Sequence, residues 1–270
     1  MFRKIMAAIV AAAIAIVPVQ ATAQPRNMVI FGDSVVADPT VRDWAAGKIG
    51  ATPQGSSDAK VWCPTGARNW GKQAAARLGL RAMDYSCAGT VSTRVGPYFS
   101  LQVDRALRDR ALNPATARVI ISTGFNDTYS TGGRSPEQVR RAFVDAMVPQ
   151  VNRIRAAAPN ARIQIVGYPK ITQGDRVCLF QLGNNMHDAT PMPFVQAWED
   201  TAQWMQVDLA RAAGVEFLDL KPSTWNNNMC APDHIRMWAG LVDFGPSPRN
   251  MPLHVNQRGH AHVADVIAHS

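Results

Sequence analysis

The sequence predicts an α/β fold, a five-stranded parallel sheet with helices on both faces. Three observations predict it. Five short runs rich in apolar residues, four of them stopping at glycine, read as strands buried on both sides. Segments of helical period separate them, and regular strand–helix alternation implies parallel strands joined by crossover helices. The 270 residues, 47% of them hydrophobic, suit one sizeable domain, and no repeat or long Gly/Ser linker divides them.

In chain order, residues 28–31 form the first strand, which ends abruptly at Gly32-Asp33-Ser34. Residues 35–65, rich in Gly, Pro, Ser and Asp, are expected as a long loop. Residues 69–78 read as a helix, with Trp70, Ala74 and Leu78 on one face and Gly79 as its stop. A second strand is expected over 82–88, ending at Gly89, and a helix over 97–112. The third strand, 118–123, ends at Gly124-Phe125-Asn126-Asp127. Ser135-Pro136 is a strong helix start, and the helix should run to Ala157 with a kink at Pro149. The fourth strand, 163–166, ends in Gly167-Tyr168-Pro169. An irregular region over 170–193 precedes a helix over 194–213, on which Trp198 and Trp204 are expected in the core. The fifth strand covers 215–220, a third loop 221–255, and Asn256 caps a last helix over 257–268.

Ahead of the first strand, Arg3 and Lys4 precede an apolar stretch from Ile5 to Val19, and Ala21-Thr22-Ala23 fits a small-x-small cleavage site. The stretch falls short of the roughly 18–20 residues that span a bilayer. Residues 1–23 are therefore expected to be a signal peptide cleaved near Ala23, leaving a mature domain over 24–270 that is secreted or held at the cell envelope. Four cysteines in an exported chain read as two disulfides. Of the three pairings, Cys63–Cys87 with Cys178–Cys230 is favoured because each pair brackets one contiguous region. No Cys-x-x-Cys suggests a zinc site. The formal charge is +8, from 28 Lys and Arg against 20 Asp and Glu. The basic residues are scattered, which argues against a nucleic-acid partner and allows peripheral attraction to an anionic envelope.

A serine hydroxyl becomes a nucleophile only when an imidazole takes its proton and donors meet the developing oxyanion. Ser34, Gly89 and Asn126 leave the ends of three strands, and His254 lies just before the last helix. Strands about 5 Å apart bring such groups together. Ser34 through its N–H, Gly89 through its N–H and Asn126 through its amide are the candidate oxyanion donors.

These blocks, Gly32-Asp33-Ser34, Gly89, Gly124-Phe125-Asn126-Asp127 and His254 in that order, resemble those of the SGNH hydrolases, also called GDSL lipases and esterases. The cysteine-containing segments and Gly167-Tyr168-Pro169 are similar to the secreted, disulfide-bonded actinobacterial-type branch. The resemblance implies a flavodoxin-like three-layer α/β/α sandwich and hydrolysis of carboxylic esters, on lipid or acylated glycan, with no metal or cofactor. It also implies Ser34 as nucleophile and His254 as base and acid. A monomer is expected. The chain departs from the family at Met251-Pro252-Leu253-His254, where an Asp usually stands three residues before the histidine. The main-chain carbonyl of Met251 is the expected orienting group, with Asp243 and Asp233 as alternatives. Of the other histidines, His260 is expected to be structural, and Asp233-His234 is the one rival for the base. An acyltransferase or deacylase, or a binding module with a degraded site, are the other functions the residues allow.

Overall fold

The structure, a computed structural model, describes residues 26–50, 63–93, 96, 98–129 and 132–270, with residues 47–50 described by their backbone alone. The expected signal peptide, 1–23, lies outside the described residues.

Five strands form one parallel sheet: β1 (Asn27–Gly32), β2 (Arg81–Asp84), β3 (Thr116–Ser122), β4 (Arg162–Val166) and β5 (Glu216–Leu218), in the order β2-β1-β3-β4-β5. Among the described residues eight α-helices accompany them: α1 (Ser34–Ala37), α2 (Val41–Gly50), α3 (Trp70–Arg77), α4 (Phe99–Arg108), α5 (Pro136–Ala157), α6 (Pro193–Ala213), α7 (Lys221–Thr224) and α8 (Gln257–His269). Successive side chains of β1 point to opposite faces and define two cores. Val29 and Phe31 pack with residues of α4, α5 and α6, while Met28 and Ile30 pack with residues of α1, α3 and α8. The result is the three-layer α/β/α sandwich.

Several elements differ from the sequence reading for local reasons. The second strand ends at Asp84 because the Asp84 carboxylate accepts from both Ser86 N–H and Ser86 Oγ, turning the backbone. The fifth ends early because Asp219 accepts from Lys221 N–H at the start of α7. The expected loop after Ser34 contains α1 and α2. The helix α5 starts where expected, with a complete capping box at Ser135 and Gln138, and continues past Pro149 to Ala157.

The region over 170–193, expected to be irregular, folds into short strands. Phe180–Gly183 pairs with Met186–His187 and with Val242–Asp243, while Arg176–Val177 pairs with Thr190–Pro191. The three-stranded piece has an inverted alternation. Gln181 and Asp243 are buried, whereas Phe180, Leu182, Val242 and Phe244 are exposed, Phe244 to 72%. Most of the buried polar groups are paired: Gln181 donates to the carbonyls of Cys178 and Met229, and Asp243 receives the Arg236 guanidinium at 2.7 Å, while Gln181 Oε1 has no partner. Disulfides Cys63–Cys87 and Cys178–Cys230 are both formed, with Cα atoms 4.7 and 5.1 Å apart. Among the described residues no helix is long and apolar enough to cross a membrane.

Candidate active site

Three strand ends build one side of the site. At the end of β1, a Cβ on Gly32 would sit 2.4 Å from Val36 and 2.6 Å from the Ser122 carbonyl. Only glycine lets the chain turn so tightly from strand into α1. Asp33 caps that helix by accepting from Val35 N–H at 3.0 Å. Ser34 is its first residue, so the Ser34 amide is one of the helix-start N–H groups without a helical acceptor.

Gly89 follows β2 in a left-handed conformation, φ +84°, which favours glycine. Its segment is anchored on both sides. Cys87 N–H donates to the Gly32 carbonyl at 3.0 Å, and the buried Gln102 amide bonds to Gly32 N–H, the Gly32 carbonyl and Thr90 Oγ1. After β3, Asn126 donates from Nδ2 to the Thr90 carbonyl at 2.9 Å and accepts from the Tyr129 hydroxyl. Asp127 receives the N–H groups of Ser92 and Thr93. The strand ends are cross-tied by Tyr168, which leaves β4. Its hydroxyl donates to Asp33 at 2.5 Å and accepts from Phe125 N–H at 3.1 Å. Burial pushes the Asp33 carboxyl up to about 7, against the opposing effect of the Tyr168 bond, and burial beside Asp33 holds the Tyr168 phenol well above its ordinary value.

The other side of the site is a single loop. His254 Nε2 lies 2.8 Å from Ser34 Oγ, and His254 Nδ1 lies 2.8 Å from the Pro252 carbonyl. A carbonyl only accepts, so Nδ1 carries the proton and Nε2 is left to receive the serine hydroxyl. The orienting carbonyl is therefore that of Pro252, not Met251. The cause is Leu253, whose φ of +59° folds the chain back so that the carbonyl two residues before the ring faces it. Met251 instead is buried and puts its side chain into the cavity wall. The two carboxylate alternatives are committed elsewhere. Asp243 is bound to Arg236, Gly240 N–H and Gly245 N–H, and Asp233 to Arg236 and Asn185 N–H. His234 is exposed and outside the cavity. Desolvation lowers the His254 imidazole below its ordinary value, with the Pro252 carbonyl and the charge of Asp38 acting in the opposite direction.

Ser34, Gly89, Asn126 and His254 meet at the wall of one cavity of about 460 Å³. Most of the remaining lining is apolar: Trp44, Phe125, Ile171, Leu179, Phe194, Trp198, Met229 and Leu253 among others. The Trp198 side chain thus lines the cavity, and Trp204 is 49% exposed with the Arg140 guanidinium 5.5 Å above its ring. Neither is the core residue its helical position suggested, because the far face of α6 abuts the cavity and solvent instead of the sheet. His260 is structural as expected: it is fully buried and accepts from Trp70 N–H.

The sequence matches the GDSL-like Lipase/Acylhydrolase family over residues 30–262, which takes in every block just described. The chain belongs to that family. It is accordingly a carboxylic ester hydrolase. No curated protein matches it. Among solved structures it is similar to phospholipase A1 from Streptomyces albidoflavus NA297, with a TM-score of 0.55 and 16% identity over 90% of this chain and 99% of that one. It is also similar to an extracellular lipase from Streptomyces rimosus, with a TM-score of 0.54 and 18% identity over 89% and 98%. A carbohydrate esterase family 2 enzyme from Corynascus thermopiles (Myceliophthora fergusii) gives a TM-score of 0.52 and 18% identity over 92% and 66%. These similarities show the three-layer fold. Gln102, Tyr168 and Pro252 support the site without being foreseen as doing so: each acts through a contact distant in sequence or through a local backbone turn, which residue type does not announce.

Proposed function

We propose that the protein is a secreted serine esterase that works through an acyl-enzyme on Ser34, with His254 as its base. Ser34 Oγ attacks the ester carbonyl carbon while its proton passes to Nε2. The carbonyl oxygen becomes an oxyanion facing the N–H groups of Ser34 and Gly89 and the amide of Asn126. Collapse expels the alcohol, which takes the proton from Nε2, and water then releases the acid by the same steps in reverse. The observation that carries this reading is the 2.8 Å contact between Ser34 Oγ and an Nε2 left unprotonated by the Pro252 carbonyl.

The apolar cavity supports an acyl chain in preference to a sugar as the group bound beside Ser34. The outward apolar face of the small sheet, whose Leu241 N–H bonds to the carbonyl of the cavity residue Leu179, supports substrate arriving from lipid. The two disulfides support export.

A panel of p-nitrophenyl esters of increasing acyl length tests the reading. Turnover should rise in kcat/KM from acetate to a medium chain, and Ser34→Ala should lower kcat by at least about 10⁴-fold with an unchanged unfolding midpoint. Undiminished turnover in Ser34→Ala contradicts it.

A further inference from the structure

The loop that carries His254 has no carboxylate on its imidazole, yet one buried carboxylate touches that loop from outside. Asp38 is the residue that ends α1, four positions after Ser34. Its N–H donates to the Ser34 carbonyl at 2.9 Å, and its own backbone is left-handed, φ +45°. Its side chain is 1% exposed. Oδ2 accepts from Asn250 Nδ2 at 2.9 Å and from Gln257 Nε2 at 3.2 Å, and lies 3.1 Å from His260 Nε2. Asn250 Nδ2 also donates to the Asp38 carbonyl at 3.0 Å. Because His260 Nδ1 accepts from Trp70 N–H, the proton of a neutral His260 sits on Nε2, beside Asp38 but not aligned for a hydrogen bond to it. The two hydrogen bonds to this carboxylate both come from amide donors and both fall on Oδ2, while Oδ1 is buried with no partner.

The partners fall on both sides of the base. Asn250 stands four residues before His254, and Gln257 and His260 stand after it, in the first turn of α8. Asp38 therefore ties the end of the serine's helix to the entry and the exit of the histidine's loop.

We infer that Asp38 is a positioning residue for His254: it fixes the loop against α1 and supplies the negative charge that the Pro252 carbonyl lacks. The inference rests on the Ser34–His254 reading above. A carbonyl carries no full charge, so it steadies an imidazolium less than a carboxylate does. Asp38 makes up part of that difference through space, and its charge acts to raise the His254 imidazole. Of the other titratable groups, His260 in α8 opposes Asp38, and Asp33 lines the same cavity.

The test compares wild type, Asp38→Asn and Asn250→Ala in kcat, KM and pH profile with a p-nitrophenyl ester, alongside Ser34→Ala. Asparagine has the shape of aspartate and suits the left-handed backbone, so Asp38→Asn removes the charge with little else. Its kcat should fall roughly 10-fold with KM within about twofold, and the acid limb of kcat/KM should move down by roughly half a pH unit, because the anion no longer favours the imidazolium. A limb that stays in place, with or without a loss of kcat, overturns the inference. Asn250→Ala cuts a tether and keeps the charge: kcat should fall at least about threefold with the limb in place, and unchanged kcat overturns the tether. This second variant also decides the matter if Asp38→Asn does not fold. Retained turnover in Ser34→Ala is a separate failure, since it removes the nucleophile on which the inference stands.

Discussion

The serine and the histidine reach the same point by different means. Ser34 is placed by the sheet. It stands two residues past the end of β1, a fully buried interior strand, and Asp33 beside it is bound through Tyr168 to the neighbouring strand end at Phe125. His254 is placed by a loop outside regular structure, held by a left-handed Leu253, a carbonyl two residues away and the contacts of Asp38. A group at a strand end inherits the rigidity of the whole core. A group on a loop is only as fixed as its few polar contacts. Changes on the serine side should therefore act on stability and on all esters alike, and changes on the histidine side on kcat or on the selection of substrate.

The disulfides give the largest contrast, because one lies on each side. Cys87 is two residues before Gly89, and Cys63–Cys87 closes a separation of 24 residues; Cys178–Cys230 closes 52 and adjoins the cavity residues Leu179 and Met229. Chain entropy alone gives losses of about 3.4 and about 4 kcal/mol respectively when each pair becomes serine, measured by urea unfolding. The catalytic effects should separate the regions more sharply. Cys63→Ser with Cys87→Ser should lower kcat for all esters by loosening Gly89. Cys178→Ser with Cys230→Ser should raise KM for long-chain esters and leave acetate little changed. Identical kinetic effects would erase the distinction.

A smaller effect sharpens the serine side. Asp33 is an acid whose folded value, about 7, lies above the 3.8 of the unfolded chain. The native state therefore holds a proton that the unfolded state has lost between those values, and this group makes stability fall as pH rises from about 4 to about 7. Asp33→Asn removes the dependence. The difference in unfolding free energy between variant and wild type should grow in the variant's favour by about 2 kcal/mol between pH 4.5 and pH 7.5, roughly half of what the full shift allows. A flat difference would mean that Asp33 is already ionised in the folded protein.

The same division explains what could be read in the sequence. The five strands, their order in the chain and the placement of Ser34, Gly89 and Asn126 at strand ends were legible because apolar runs, four of the five halted by glycine, are short-range signals. The boundaries of β2 and β5 were not, because Asp84 and Asp219 end them with their own side chains. The small sheet was missed because its alternation is inverted: Phe180, Leu182 and Phe244 point outward while Gln181 and Asp243 are buried, so the usual pattern of an amphipathic strand was reversed. His254 was legible by its place before the last helix. Its partner was not, since the choice between Met251 and Pro252 turns on the φ of Leu253, a leucine in a conformation that leucine rarely adopts. Asp38 could not be found at all from sequence, because its partners Asn250, Gln257 and His260 are at the opposite end of the chain.

The most direct measurement is covalent. A p-nitrophenyl phosphonate presents a tetrahedral phosphorus to an activated serine and releases one nitrophenol for each serine that reacts. On the protein, one equivalent of nitrophenol should be released, peptide mapping should find the adduct on Ser34, and His254→Ala should slow labelling by at least about 10³-fold. An adduct on another residue, or equal labelling of wild type and His254→Ala, would contradict the account.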